Sequence, residues 1–206
     1  MHELHKEILA AEQATLLPLI SGFSKTFGLV GGTAIALHLG HRRSIDFDLF
    51  TNKTFGSQRI LNQILNSHQV DKILVNRLDE LTLIVKGVKM TFFRFPYKIA
   101  YCEDVSGIIK IPSLLTLAAM KAFALGMRNK WKDYVDLYFI IKDHFSVNEI
   151  SKEGKRIFGS EFNEKLLRTQ LGYFNDINYA EEVEFLPGFE VKDEVIKKKL
   201  VDFSLE

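Results

Sequence analysis

The sequence predicts an α+β fold in which a mixed N-terminal part is followed by an α-helical C-terminal part. Up to about residue 110, short runs that alternate polar and apolar residues lie between helix-like segments, as in a sheet with flanking helices. After Pro112 the apolar residues recur mainly at three- and four-residue steps, which indicates helices. We therefore expect two domains, an α/β domain over residues 1–110 and a helical domain over residues 111–206.

The first fifty residues alternate helix and strand signals. The predicted elements are a helix over 4–23, a strand over 27–30, a short helix over 33–39 and a strand over 44–50. We expect the short helix to be capped by Thr33 and to end at Gly40. The last strand alternates strictly, which places Ile45 on its buried face.

Later elements follow from the same periodicities. A helix over 57–68 precedes β-like runs at 71–78, 81–85 and 89–95, and Lys86-Gly87-Val88 is typical of a tight hairpin turn. In the C-terminal part the pattern predicts helices over 112–127, 130–144, 147–158, 162–171 and 191–203.

Composition excludes several protein classes. Of the 206 residues 47% are hydrophobic, which argues against a disordered chain. Lys and Arg number 27 against 26 Asp and Glu, so any contact with nucleic acid must be a local patch. Cys102 is the single cysteine and the apolar stretch over 111–120 is short, so we expect a cytoplasmic protein without membrane contact.

The most informative residues are two carboxylates that follow a glycine pair. Asp46 and Asp48 are two positions apart on a predicted strand, so both side chains share one face, where their repulsion favours a bound cation. Oxygen ligands of this kind suit Mg²⁺ or Mn²⁺, with these two residues as the metal ligands. Gly31 and Gly32 precede a helix start, where backbone N–H groups bind phosphate.

Three nearby side chains are expected to add donors to the same phosphate chain, namely Thr33, Arg42 and Ser44. Together these parts predict a metal-bound nucleoside triphosphate beside the carboxylate pair. A glycine turn, an Asp-x-Asp strand or a charge pair on its own is compatible with a purely structural role. Their occurrence together in one local unit favours a functional site.

This arrangement is similar to the signature of the polymerase-β nucleotidyltransferase superfamily. More closely, Gly31-Gly32-Thr33-Ala34 with Arg42-x-Ser44-x-Asp46-x-Asp48-Leu49-Phe50 resembles the AbiEii/AbiGii-type nucleotidyltransferase toxins. A second block, Lys121-Ala122, Arg128 and Lys132-Asp133-x-x-Asp136-Leu137, resembles that family's helical motif. The resemblance covers most of residues 27–176 and implies a polymerase-β-like mixed sheet.

The resemblance also implies an activity and partners. It implies transfer of an NMP group from a nucleoside triphosphate to RNA, at the acceptor end of tRNA in studied members, and a cognate antitoxin protein. The expected catalytic residues are Asp46, Asp48, Lys121 and Asp136, and the expected nucleotide-binding residues are Gly31, Gly32, Thr33, Arg42, Ser44, Arg128 and Lys132.

Two alternatives stay open. Lys121 interrupts an apolar stretch and needs an anionic partner or a ligand phosphate. The residues are compatible with triphosphate binding, with a Lys121–Asp136 or Lys132–Asp136 salt bridge between helices, or with both at once. The third carboxylate of the superfamily falls at Thr91, which cannot act as a base. Either one of Asp79, Glu80, Asp133 and Asp136 replaces it, or two acids suffice, or activity is impaired. The alternative function is a nucleotide-binding pseudoenzyme or partner-binding module.

Overall fold

The computed structural model describes residues 4–125 and 127–206, which divide into two compact units. Unit 1 contains the residues up to 38 together with residues 43–113, and unit 2 contains residues 39–42 and 114–206. The sequence predicts residues 39–42 in the first domain. In the structure these four residues belong instead to the unit formed by the C-terminal helices.

A mixed sheet is the centre of unit 1. Its strands within the described residues are β1 (Gly28–Val30), β2 (Phe47–Thr51), β3 (Lys72–Arg77), β4 (Glu80–Val85) and β5 (Val88–Arg94). Their order is β1-β2-β5-β4-β3, with β2 and β5 parallel and the other neighbours antiparallel. The mixed sheet that the sequence predicts is therefore confirmed.

Helices and a small hairpin complete unit 1. They are α1 (Ala11–Ser21), α2 (Gly31–Leu39, whose last residue belongs to unit 2) and α3 (Ser57–Leu65), with β6 (Glu103–Val105) and β7 (Ile109–Ile111). The predicted first helix is shorter than expected, because a 3-10 turn over Lys6–Ile8 is followed by extended backbone at Leu9. The pattern of the sequence did not indicate the β6–β7 hairpin, whose strands have three residues each.

The two faces of the sheet differ in burial. One face carries the fully buried side chains of Leu49, Met90 and Phe92, and the ring of Phe92 packs against Phe23 and Phe27. The opposite face is half-buried, and we call it the open face; it carries Asp48 and Phe50 of β2 and Lys89, Thr91 and Phe93 of β5. Polar residues and aromatic rings therefore share one accessible surface.

Helices form unit 2. They are α4 (Leu114–Leu125), α5 (Trp131–Asp143), α6 (Val147–Phe158), α7 (Glu164–Leu171) and α8 (Asp193–Leu205). Ser146 begins α6 with a capping box, in which its hydroxyl accepts from the N–H of Glu149 and the Glu149 carboxylate accepts from the N–H of Ser146. The predicted helical C-terminal part is confirmed. None of the helices in the described part of the chain combines the length and apolar character that a bilayer crossing requires.

Candidate active site

The glycine pair lies at the junction of β1 and α2. The helix begins directly at Gly31, where φ is +72°, and not at the cap that the sequence predicts at Thr33. A Cβ added to Gly31 would lie 2.2 Å from Oδ2 of Asp48, so only glycine lets that carboxylate lie against the start of the helix. The positive end of the helix dipole therefore faces Asp48, an arrangement that stabilises negative charge.

Two buried hydroxyls hold the segment that leads to the second carboxylate. The hydroxyl of Thr33 donates to the carbonyl oxygen of Asp46 at 2.5 Å and lies 2.9 Å from the hydroxyl of Ser44. Thr33 and Ser44 are both more than nine-tenths buried. The sequence assigns these hydroxyls to phosphate binding, whereas the structure engages them in fixing Asp46 relative to α2.

The position of Ile45 corrects one expectation. The predicted strand over 44–50 would bury this side chain, but β2 begins at Phe47 and Ile45 is 57% exposed. Asp46 therefore directly precedes the strand, and Asp48 lies within it.

The strand next to β2 carries the position of the missing acid. β2 and β5 are parallel, and Asp48 is in register with Thr91. The threonine is therefore beside the acidic pair, at the place where the resemblance implies a third carboxylate. Lys89, on the same face of β5, places its Nζ 2.5 Å from Oδ2 of Asp46. Sequence reasoning missed this lysine, although the alternation of β5 places it on the face of Thr91.

The donor set at this site is compatible with a hard divalent cation. Asp46 and Asp48 offer carboxylate oxygens only, and both side chains are partly accessible. Mg²⁺ is typically held by one or two carboxylates together with substrate phosphates. Among residues 4–125 and 127–206 no group of three or more His, Cys, Asp or Glu side chains is arranged to hold a metal. Asp46 and Asp48 are the ligand pair that the sequence predicts at this position.

Unit 2 contains a buried ionic network centred on Asp136. This carboxylate is fully buried and accepts from Nε and Nη2 of Arg42 at 2.7 and 2.9 Å. Nε2 of His41 lies 2.8 Å from the same carboxylate. Both partners come from residues 39–42, so Asp136 fixes the chain that precedes the acidic pair by four residues.

Lys121 connects Asp136 to a second carboxylate. Its Nζ lies 2.7 Å from Oδ1 of Asp133 and 2.8 Å from Oδ2 of Asp136. The contact with Asp136 is the salt bridge that the sequence predicts as one alternative. Arg128 donates to Asp133 through Nε at 2.8 Å and through Nη2 at 3.3 Å. The sequence also assigns Lys132 to nucleotide binding, and in the structure its Nζ lies 3.7 Å from Oε2 of Glu181.

The electrostatics of the network follow from burial and pairing. Burial opposes the charged carboxylate of Asp136, but Arg42 and Lys121 outweigh that effect and hold its pKa well below the usual range. Burial also opposes the ammonium of Lys121, yet its two carboxylate partners raise its pKa. The pKa of His41 is lowered because burial disfavours the imidazolium.

Burial and pairing fix the position of Asp136. Its carboxylate is fully buried and is held by Arg42, His41 and Lys121. Together, Arg42, Lys121 and Arg128 pair with the carboxylates of Asp133 and Asp136. Half of the Arg128 side chain is exposed, and this part of the network is accessible to an anion.

Solved structures share the fold of this chain. A candidate nucleotidyltransferase from H. pylori superposes with a TM-score of 0.59 at 17% identity, covering 95% of both chains. MenT4, a nucleotidyltransferase toxin from Mycobacterium tuberculosis, gives a TM-score of 0.53 at 13% identity, covering 96% of this chain and 86% of MenT4. These likenesses confirm the nucleotidyltransferase-like fold, and the narrower assignment to the AbiEii/AbiGii group stays a prediction.

A sequence relative defines the family. No family model matches the chain. The uncharacterized protein aq_aa25 from Aquifex aeolicus is 30% identical over an alignment 214 residues long, which covers 98% of each protein. The chain therefore belongs to the same protein family as aq_aa25.

Proposed function

We propose that the protein is a metal-dependent nucleotidyltransferase that moves an NMP group from a nucleoside triphosphate to RNA, at the 3′ end of tRNA. The carboxylate of Asp48 against Gly31, at the first turn of α2, is the observation that carries this proposal. It brings together a phosphate-binding helix start and a pair of oxygen ligands within one unit. The fold shared with MenT4, a nucleotidyltransferase toxin, supports a nucleotidyltransferase that acts as a toxin. The cognate antitoxin partner is what the resemblance of the sequence implies.

The chemistry needs one substitution at phosphorus. The oxygen of the acceptor hydroxyl forms a bond to the α-phosphorus, and the bond from that phosphorus to the bridging β-phosphate oxygen breaks. Pyrophosphate leaves, and the hydroxyl proton passes to solvent, because Thr91 offers no base beside Asp48. Backbone N–H groups of Gly31 and Gly32 bind the phosphate chain at the start of α2.

Other residues of unit 1 orient this centre. Thr33 fixes the carbonyl of Asp46, and the hydroxyl of Ser44 lies beside that of Thr33. Lys89 balances part of the charge of the acidic pair. A divalent ion held by Asp46 and Asp48, Mg²⁺ or Mn²⁺, would neutralise phosphate charge. The electrostatic contribution of the chain itself comes from preorganised donors, which need not reorganise during the reaction.

In unit 2, Arg128 is the residue that the resemblance assigns to nucleotide binding, and half of its side chain is exposed. Lys121 and Asp136 are buried in the network, so their contribution to the reaction is to hold Arg42 and Asp133 in place. Asp133 in turn orients Arg128 through two hydrogen bonds.

The test is incorporation of labelled nucleotide into RNA. Each labelled nucleoside triphosphate is incubated with the protein, Mn²⁺ or Mg²⁺ and total cellular RNA, and the labelled species are separated. Asp46→Asn and Asp48→Asn are expected to abolish transfer, whereas Glu12→Gln, an exposed substitution on α1, retains it. Wild-type turnover in both asparagine variants would overturn the site. Growth arrest on expression, lost in Asp48→Asn, is the expected sign of a toxin.

A second candidate function is a nucleotide-binding pseudoenzyme. The observation that favours it is threonine in register with Asp48, where the resemblance implies an acid. Metal-dependent binding of a nucleoside triphosphate without any transfer to RNA or protein would support this alternative against the first.

A further inference from the structure

A concave site lies in unit 1, where β2 and β5 end and shortly before β1 begins. It is a cavity of about 150 Å³. Its walls include the rings of Phe95, Tyr97 and Tyr101. Polar side chains also line it, namely Thr26, Asn52 and Lys53. None of these residues belongs to the acidic site or to the buried ionic network.

One wall of the cavity is fixed by a glycine. A Cβ on Gly28 would lie 2.1 Å from the ring of Tyr101, so the ring lies directly on the backbone of β1. The hydroxyl of Tyr101 donates to the carbonyl oxygen of Phe50 at 3.1 Å. The ring is therefore held both by its face and by its end, and its position is set before any ligand binds.

Aromatic rings connect the cavity to the open face. The ring centroids of Phe50 and Phe93 are 5.3 Å apart, those of Phe50 and Phe95 5.5 Å, and those of Phe95 and Tyr97 5.2 Å. Phe50 follows Asp48 by two residues on the same face of β2, a step of about 6.6 Å along a strand. The aromatic row thus begins next to the acidic pair and ends in the cavity.

The lining predicts a flat, partly polar ring as the ligand. A cavity of about 150 Å³ is large enough for one benzene-sized ring. Aromatic side chains bind nucleobases by stacking, which tolerates any base sequence. Asn52 and Thr26 can bond to the polar edge of such a ring, and Lys53 supplies a positive charge for a backbone phosphate.

We infer that this cavity binds a nucleobase at the end of the acceptor strand. The inference rests on the proposed nucleotidyl transfer for the direction in which the substrates lie. Along β1 the order is Gly28 at the cavity wall, Val30 in register with Asp48, and Gly31 at the start of α2. In phosphoryl transfer the attacking and leaving oxygens are roughly in line. Since pyrophosphate leaves towards α2, the attacking strand approaches from the side of the cavity.

The experiment measures binding, so it does not depend on transfer. A fluorescein-labelled ribonucleotide tetramer is titrated with the full-length protein, and anisotropy is compared with the same tetramer carrying an abasic 3′ residue. Tyr97→Leu is expected to weaken binding of the intact tetramer about 5- to 150-fold, the range of base stacking on an aromatic side chain, and to leave abasic binding unchanged. Tyr97→Phe keeps the ring and is expected to bind like wild type.

Phe95→Leu is a second variant with the same expected loss, and Tyr173→Leu, an exposed aromatic position in unit 2, is the matched control. Equal affinity of wild type for the intact and abasic tetramers would overturn the inference. So would unchanged binding in both Tyr97→Leu and Phe95→Leu.

A further arm distinguishes the two sources of a base. Binding of ATP is compared with binding of ribose 5-triphosphate, which has no base. If Tyr97→Leu weakens ATP binding and leaves the tetramer unaffected, the cavity takes the base of the triphosphate and the acceptor assignment is wrong. Base-dependent tetramer binding in a protein that transfers no nucleotide would contradict the proposed function while the cavity assignment stands.

Discussion

Replacing Gly31 with alanine is expected to disturb both the fold and the acidic pair. The backbone there has a φ of +72°, a conformation that costs other L-residues about 1–2 kcal/mol. The added Cβ would also lie 2.2 Å from Oδ2 of Asp48 and 3.0 Å from its Cγ, so the carboxylate must move. An off-rotamer side chain costs about 0.5–1.5 kcal/mol, which brings the expected loss in the free energy of unfolding to about 1.5–3.5 kcal/mol.

Gly87→Ala is the matched control. Its φ is +75°, almost the same as at Gly31, but within the described part of the chain nothing lies within 4 Å of an added Cβ. We expect this variant to lose about 1–2 kcal/mol, from the backbone alone. The difference between the two variants isolates the contact with Asp48.

Urea unfolding and Mn²⁺ titration together measure the effect. Only Gly31→Ala is expected to weaken Mn²⁺ binding, because only there is a candidate ligand displaced. Equal losses of unfolding free energy in the two variants, with the same Mn²⁺ affinity as wild type, would refute the role assigned to this glycine.

Three further outcomes are expected. Lys121→Met removes a buried cation from Asp133 and is expected to cost about 3–5 kcal/mol of unfolding free energy. Arg128→Met removes a half-exposed cation and is expected to cost about 1 kcal/mol or less. Equal costs in urea unfolding would contradict this difference. Burial lowers the pKa of His41 in the folded state, so the unfolded chain takes up a proton first, and stability falls as pH drops below 6.5 towards the folded pKa. His41→Gln is expected to flatten this dependence of unfolding free energy on pH, and an unchanged dependence would count against the role of His41. Thr91→Asp is expected to bind Mn²⁺ more tightly than Thr91→Asn in calorimetry, since it adds a carboxylate beside the acidic pair. Equal affinities would show that a side chain at this position does not reach the ion.

Alternation in the sequence located the strand that carries Asp48 but extended it too far. The pairing of β1 with β2 ends at Val30 and Asp48, because α2 begins at the next residue, Gly31. Residues 43–46 therefore have no strand beside them on that side, and Ile45 is exposed despite its apolar pattern. The helix also starts at Gly31, two residues before the predicted cap at Thr33, and its φ of +72° is a conformation that glycine adopts readily.

Long-range ion pairing was only partly predictable. Lys121 stands in an apolar stretch and so requires an anionic partner, and the structure supplies Asp133 and Asp136. The pairing of Arg42 with Asp136 spans 94 residues, so no local sequence pattern indicates it. Judged from its neighbours in the sequence, each of the two residues is compatible with a solvated surface position. The position of His41 beside the same carboxylate could not be predicted for the same reason.

The assignment of residues 39–42 to unit 2 has a consequence for folding during synthesis. Arg42 is made long before Asp136, and a buried guanidinium without its carboxylate is unfavourable. Contacts between residues so far apart in sequence also form late, since the intervening chain must first be ordered. The segment that precedes Asp46 by four residues therefore settles only after α5 has been synthesised. A chain released early would carry both acids of the pair while lacking the anchor for the residues before them.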